Sequence, residues 1–148
     1  VMTYLGKFYE SNNEIEKAKD IYRKAYSKGS ITSGYRLAYL LEEVNNKKIG
    51  LKLESTLWKI PEAKKIFETL SENGDNYSTV DLSLYYPEAS KMVRVLNLKA
   101  AIQGNATAFN NLGIYYYQKK NIEKSKFWFK KAKEYGFELA EEYKVLIN

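Results

Sequence analysis

The sequence predicts an all-α fold, a stacked solenoid of helical hairpins, on three observations. Gly29, Gly74, Gly104 and Gly136 each precede a small residue by four positions (Ser33, Ser78, Ala108, Ala140), and a Leu follows the first three of these four positions on. A second series, Leu5, Leu37, Leu82 and Leu112, recurs at spacings of 32, 45 and 30 residues. Between its members run apolar residues at offsets of three and four, the period of an amphipathic helix. Self-similarity at periods of about 20 to 50 residues marks a repeat array, in which each unit buries its apolar face on its neighbours.

The first helix of each unit, helix A, carries the series Leu. A small residue follows it at once (Gly6, Ala38, Ser83, Gly113) and a large one four positions on (Tyr9, Leu41, Tyr86, Tyr116). Positions i and i+4 share a face, so Leu and Tyr form a stripe, and the small residue leaves room for a neighbouring helix to approach. Helix B follows, with Ala18, Ile21, Tyr22 and Ala25 in the first unit, Ala63, Ile66, Phe67 and Leu70 in the second, and Ser125, Trp128, Phe129 and Ala132 in the fourth. Lys17, Lys24, Lys28, Lys124, Lys131 and Lys133 fall mostly on the opposite side. Each B helix ends at a Gly, which takes the left-handed C′ conformation without steric cost. Asn13 and Asn121 fit N-terminal positions of B helices, and Pro61 and Pro87 fit a first helical turn.

The units run about 1–29, 30–74 with an insertion near 44–60, 75–104 and 105–136, then a capping helix at 137–148, all in a single repeat domain spanning 1–148. The insertion, about thirteen residues that include Asn45, Asn46, Leu51, Leu53, Leu57 and Trp58, reads as an extended helix end or a separate helix. The favoured reading is a short helix near 51–59 that packs Leu57 and Trp58 on the array. The third unit has almost no loop before Pro87, which predicts an unusually long B helix.

These residues resemble the tetratricopeptide and Sel-like (SLR) repeats. The last unit carries nearly the whole pattern, from Ala108 through Leu112, Gly113 and Tyr116 to Ser125, Phe129, Ala132 and Gly136. The distance from Tyr9 to Ala18 is similar to the A-to-B loop of tetratricopeptide repeats, and the stretch Ala25 to Leu37 is similar to the tighter turn of the Sel-like family. The resemblance implies a right-handed α-α superhelix of about four hairpins plus a C-terminal helix, whose A helices line a concave groove. It implies groove positions at Thr3, Lys7 and Glu10; at Tyr35, Tyr39, Glu42 and Glu43; at Val80 and Leu84; and at Asn110, Ile114, Tyr117 and Gln118, with Tyr77 at a further one. The implied function is a protein-interaction scaffold or adaptor binding a peptide or helix of a partner, chiefly through Tyr35, Tyr39, Glu42, Tyr77, Leu84, Asn110, Ile114 and Tyr117. The basic pattern with which some tetratricopeptide domains clamp a C-terminal carboxylate is missing, since Lys7 gives way to Tyr39, Leu84 and Ile114 at equivalent positions.

Composition narrows the chemistry. Cys and His are both absent, which removes disulfides, thiolate nucleophiles, imidazole bases and Cys/His zinc sites, and no metal or cofactor is expected. Carboxylate pairs such as Glu42 with Glu43 or Glu141 with Glu142 are neighbours in sequence and do not face each other on a helix, so enzyme activity is not expected. With 24 Lys and Arg against 18 Asp and Glu the chain carries +6, and Lys119, Lys120, Lys124, Lys126, Lys130, Lys131 and Lys133 gather near Phe127 and Trp128. That cluster makes a nucleic-acid or anionic-surface adaptor the alternative reading, weakened because Trp128 and Phe129 coincide with family core positions. The expectation is a soluble protein without a membrane span, the cytoplasm favoured. Val1 stands four residues before Leu5, at a repeat position, so a longer chain with a targeting segment upstream is allowed for.

Overall fold

The computed structural model describes residues 1–48 and 60–148, with the side chains of 44–48 excepted. All described secondary structure is helical. Two compact units, Val1–Asp75 and Asn76–Asn148, divide the chain.

In the first unit α1 (Met2–Ser11) and α2 (Ile15–Ser27) form one hairpin, and α3 (Ile31–Lys48) packs with α4 (Pro61–Glu72) as the next. Most of the predicted stripe is the core: Ala18, Tyr22, Ala25, Leu37, Ala38, Ala63, Ile66, Phe67 and Leu70 are buried, whereas Tyr9, Ile21 and Leu41 are half-buried and Leu40, not Leu41, is the second buried Leu of α3. Leu5 departs from it, remaining 40% exposed while its counterparts Leu37, Leu82 and Leu112 are buried. Pro61 opens α4 as expected. The helical part of the insertion is an extension of α3, which runs on to Lys48. The expected helix near 51–59, with Leu57 and Trp58, lies outside the described residues.

In the second unit α5 (Asn76–Ser83), α6 (Lys91–Ile102), α7 (Ala106–Gln118), α8 (Ile122–Glu134) and α9 (Glu141–Ile147) pack each on the next. Val80, Ala100, Ala101, Ala108, Phe109, Leu112, Phe129, Ala132 and Leu139 make its core. Pro87 does not open a helix: α5 ends at Ser83, and Ser90 caps α6 by accepting a bond from the Val93 amide at 3.3 Å. Ala89 is left-handed (φ 56°), and the Ser90 amide donates to the Pro87 carbonyl at 3.1 Å, so a turn occupies the place of the expected first helical turn. Consequently α6 has 12 residues, the length of α4, and is not unusually long. The last helix also starts later than 137: residues 137–140 are non-helical, Leu139 is buried, and Ala140 is the exposed N-cap residue.

Both kinds of turn end their helix with a left-handed residue. Between hairpins it is Gly29, Gly74, Gly104 or Gly136 (φ 78–90°), and the amide after each reaches back to Ala25, Leu70, Ala100 or Ala132 at 2.9–3.3 Å. Within hairpins it is Asn13 (φ 60°) or Lys120 (φ 58°), with Glu14 and Asn121 bonded back to Tyr9 and Tyr116 at 2.8 and 2.9 Å. Asn13 therefore matches Lys120 in register and does not cap α2, whose N-cap residue is Glu14, without a side-chain bond. Asn121 does cap α8, accepting from Lys124 at 3.1 Å.

Hairpins close where a small residue of helix A meets a ring of helix B. A Cβ built on Gly113 would lie 2.5 Å from Phe129 Cδ1 and Cε1, and one on Gly6 would lie 2.4 Å from Tyr22 Cε1. In an open helix Gly→Ala gains about 1 kcal/mol of propensity. Here the clash opposes that gain, because Phe129 is fully buried and stacked on Tyr143 at 4.7 Å and cannot swing aside. Gly113→Ala is expected to destabilise by about 1–3 kcal/mol in urea unfolding, and Phe129→Leu in the same chain to recover part of that loss. Simple additivity of the two changes would show that the contact is not the cause.

Tyr22 donates from its hydroxyl to Glu10 Oε2 at 2.8 Å, and burial pushes that hydroxyl above the ordinary tyrosine value of 10.0. Between the ordinary and the raised value the unfolded chain binds fewer protons than the folded one, so this contribution is complete below about pH 10 and is lost as pH rises through the folded value. Tyr22→Phe should cost about 1–3 kcal/mol at neutral pH. Urea midpoints of the two proteins should then converge as pH climbs past 10; a gap that stays constant would sink this account.

Candidate binding surface

On α3, Tyr35, Tyr39 and Glu42 follow at offsets of four and three and share one face. Tyr35 is half-buried, its ring edge-on to Phe67 of α4 with centroids 6.0 Å apart, so much of it packs within the hairpin. Tyr39 is exposed, and the Arg36 guanidinium lies 5.6 Å from its ring centroid. Arg36 is itself ion-paired with Glu10, the carboxylate that accepts the Tyr22 hydroxyl. Three helices thus fix one aromatic ring at the surface: α2 orients Glu10 of α1, Glu10 holds Arg36 of α3, and Arg36 backs Tyr39. Glu42 is half-buried.

On α7, Asn110, Ile114 and Tyr117 again share a face. Asn110 is buried, Ile114 packs against the core, and Tyr117 is exposed. The Tyr117 ring stands edge-on to Tyr143 of α9 at 5.5 Å, and Tyr143 in turn stacks on Phe129. Burial, then a bond to Glu142, raises the Tyr143 hydroxyl above its ordinary value, so it stays neutral beside Tyr117. Tyr77 opens α5 at 65% exposure, and Leu84 is exposed in the turn just beyond it. Val80, between them, is a core residue.

Other expected groove positions serve internal bonds, among them Gln118, which donates to Glu88 Oε2 at 3.3 Å. Thr3 Oγ1 is 2.8 Å from Ser33 Oγ, tying α1 to α3, and Glu10 is committed to Tyr22 and Arg36. The residues that hold the exposed rings, Arg36 and Tyr143, were not among the sequence candidates. Arg36 could have been found at i−3 from Tyr39 on the same helix, whereas nothing in the spacing of Tyr143 marks it.

The lysine face is a separate surface. Lys124, Lys126, Lys130 and Lys133 are exposed on α8, and Lys131 is paired with Glu134 at 3.0 Å. Trp128 is stacked on Phe109 at 5.9 Å and leaves Phe127 and Tyr135 as the exposed rings beside those lysines. On the C-terminal helix Lys144 binds both Glu138 and Glu141, at 2.6 and 2.7 Å; these bonds raise the Lys144 ammonium and lower the Glu138 carboxyl from their ordinary values. Among the described residues no group of three or more acidic side chains could hold a metal ion, and no helix is long and apolar enough to cross a membrane.

No protein-family model and no curated protein sequence matches the chain. Among solved structures it is similar to a protective antigen of uropathogenic Escherichia coli strains displaying an SLR fold, with a TM-score of 0.71 and 19% identity over 91% of this chain and 30% of that one. It is also similar to a Sel1 repeat protein from Oxalobacter formigenes, with a TM-score of 0.71 and 21% identity over 91% of this chain and 57% of that one. The chain spans less than two thirds of the length of either. Identity this low carries the fold and nothing more, and the all-helical fold of this chain is that of the Sel-like repeat proteins.

Proposed function

We propose that the chain is a non-catalytic protein-interaction scaffold, and that it holds a peptide or helix of a partner against tyrosines on its A helices. The observation that carries this reading is that Tyr39 and Tyr117 each expose a ring while a second group fixes it from behind, Arg36 in one case and Tyr143 in the other. A ring already held in place contributes large contact area and loses little freedom on binding. In the first unit Tyr35 and Glu42 flank Tyr39 on α3; in the second, Ile114 stands next to Tyr117 on the same face of α7 with Asn110 buried, and Tyr77 on α5 and Leu84 in the turn after it are exposed.

The second reading, an adaptor for nucleic acid or an anionic surface, draws on the exposed lysines of α8. It is the weaker one, since Trp128, the largest ring of that helix, is stacked on Phe109 and half-buried, which leaves only Phe127 and Tyr135 as exposed rings among those lysines.

The test begins with peptides selected against the wild-type chain from a random display library. Tyr39→Ala with Tyr117→Ala is expected to weaken them by about 2 kcal/mol or more, roughly thirtyfold, while shifting stability by about half a kcal/mol or less per site. Lys130→Glu with Lys131→Glu should leave the same peptides bound. Loss of binding in the lysine pair alone, together with a steep fall in affinity as salt rises, would transfer the function to the basic face.

A further inference from the structure

Counted back from the glycine at its end, each B helix turns four residues outward, at twelve, nine, five and two positions before that glycine. In α2 these are Lys17, Asp20, Lys24 and Ser27, and in α4 Glu62, Lys65, Thr69 and Glu72, all polar and all exposed. In the second unit the same register is apolar and basic: Met92, Val95, Lys99 and Ile102 on α6, then Lys124, Phe127, Lys131 and Glu134 on α8, all exposed except the half-buried Lys131. Ile102 is 87% and Phe127 53% exposed. The buried residues of these helices, Leu96, Asn97 and Ala100 on α6 and Ser125, Phe129 and Ala132 on α8, lie on the opposite side.

Exposure here belongs to the position and not to an end of the chain. Helix α2 packs on α3 and touches α4, where Arg23 reaches Glu62 at 3.1 Å, yet its four outward residues stay in solvent. A further hairpin stacked on the second unit would leave the α8 stripe open in the same way. In the second unit α6 and α8 are likewise successive B helices, both packed on α7, so their stripes share one surface. Nothing in the fold asks an outward residue to be apolar: where α2 and α4 have Asp20 and Lys65, α6 and α8 have Val95 and Phe127. Charge gathers at the same place. Residues 119–134 hold seven lysines against two glutamates, which is +5 of the chain's +6. Exposed apolar side chains rimmed by charge of one sign mark an interaction surface.

We propose that this outward face of the second unit docks on an anionic lipid bilayer. The lysines of α8 meet the negative head groups, and Met92, Val95, Ile102 and Phe127 enter the head-group layer. A nucleic acid would use the lysines and Phe127 but would gain nothing from Met92, Val95 and Ile102, whereas a bilayer uses both kinds of side chain. Each lysine near such a surface strengthens partitioning by about fivefold, and the attraction fades within a Debye length, so the contact is reversible and sensitive to salt. This surface is additional to the tyrosines of the A helices and does not rest on their binding a partner.

Flotation with vesicles of phosphatidylcholine, alone or with about 30% phosphatidylserine, in about 0.15 M salt reads the contact directly. The wild type is expected to float with the anionic vesicles and not with the neutral ones. Val95→Asp with Phe127→Asp should lower its partitioning at least tenfold at an unchanged melting temperature, because α2 carries an aspartate at that position. Ile102→Glu, which gives α6 the residue that α4 and α8 already have there, repeats the test should the aspartate pair melt lower. Lys124→Glu with Lys130→Glu should also release the anionic vesicles, and Tyr39→Ala with Tyr117→Ala should float like the wild type. A wild type that stays in solution, or floats equally with neutral vesicles, overturns the proposal. So does flotation that both Val95→Asp with Phe127→Asp and Ile102→Glu leave intact, since charge alone would then act; an oligonucleotide bound equally by these variants and the wild type would in that case name nucleic acid as the occupant.

Discussion

Each A helix must let a B helix come closer than an ordinary side chain permits, and most of the structure follows from how this is met. At Gly6 and Gly113 the approach is so close that a ring, Tyr22 or Phe129, fills the space a Cβ would need. The helices are too short to persist alone in water, so the ring buried at this contact, worth about 1.5–3 kcal/mol, helps decide whether a hairpin exists. Ser125 reinforces it in the last hairpin, donating from its buried hydroxyl to the Gly113 carbonyl at 2.9 Å. The third hairpin solves the problem differently. Seven residues before its turn glycine, where the other B helices place Tyr22, Phe67 and Phe129, it has Asn97, fully buried and bonded to the Val93 carbonyl and to Asn111 of α7. A buried amide is tolerated because both ends of it are satisfied, and the bond it makes ties α6 to the following hairpin.

The parts of this design that sequence reveals are those for which few residue types will serve. A left-handed residue after a helix favours Gly strongly enough that Gly29, Gly74, Gly104 and Gly136 announced the turns between hairpins. The same conformation at Asn13 and Lys120 was not visible, since Lys120 accepts a cost of about 1–2 kcal/mol that packing on both sides offsets. Pro87 misled for a related reason: proline suits a first helical turn but equally suits the loop before one, and Ser90 three residues on supplies the cap. Leu5 carried the right letter in the right register. Its exposure depends on what lies against α1, which no pattern within the helix encodes.

At the candidate surface the same division holds. The resemblance to helical-hairpin repeats singled out Tyr39 and Tyr117, and both are exposed on their helices. Register could not tell that Asn110 would be covered or that Tyr35 would lean on Phe67, since both depend on the distance to a neighbouring helix. Arg36 and Tyr143 belong to the same class: each matters through a contact with another element.

Charge and aromaticity divide the labour on this molecule. The lysines are mostly exposed, and those that pair do so largely with a glutamate three residues away, as Lys17 with Glu14 and Lys131 with Glu134. Such pairs contribute a few tenths of a kcal/mol at best and weaken in salt, so the excess of positive charge acts on solubility and encounter more than on holding a partner. On the proposed reading, a partner is retained by surfaces that lose water on contact and keep their shape beforehand. A tyrosine free to turn would give back in ordering much of what its ring gains; one wedged over Arg36, or set edge-on against Tyr143, has already met that cost during folding. The core contacts that close the hairpins therefore reach the surface, because Tyr22 sets Glu10 and Arg36 beneath one ring and Phe129 sets Tyr143 beneath the other.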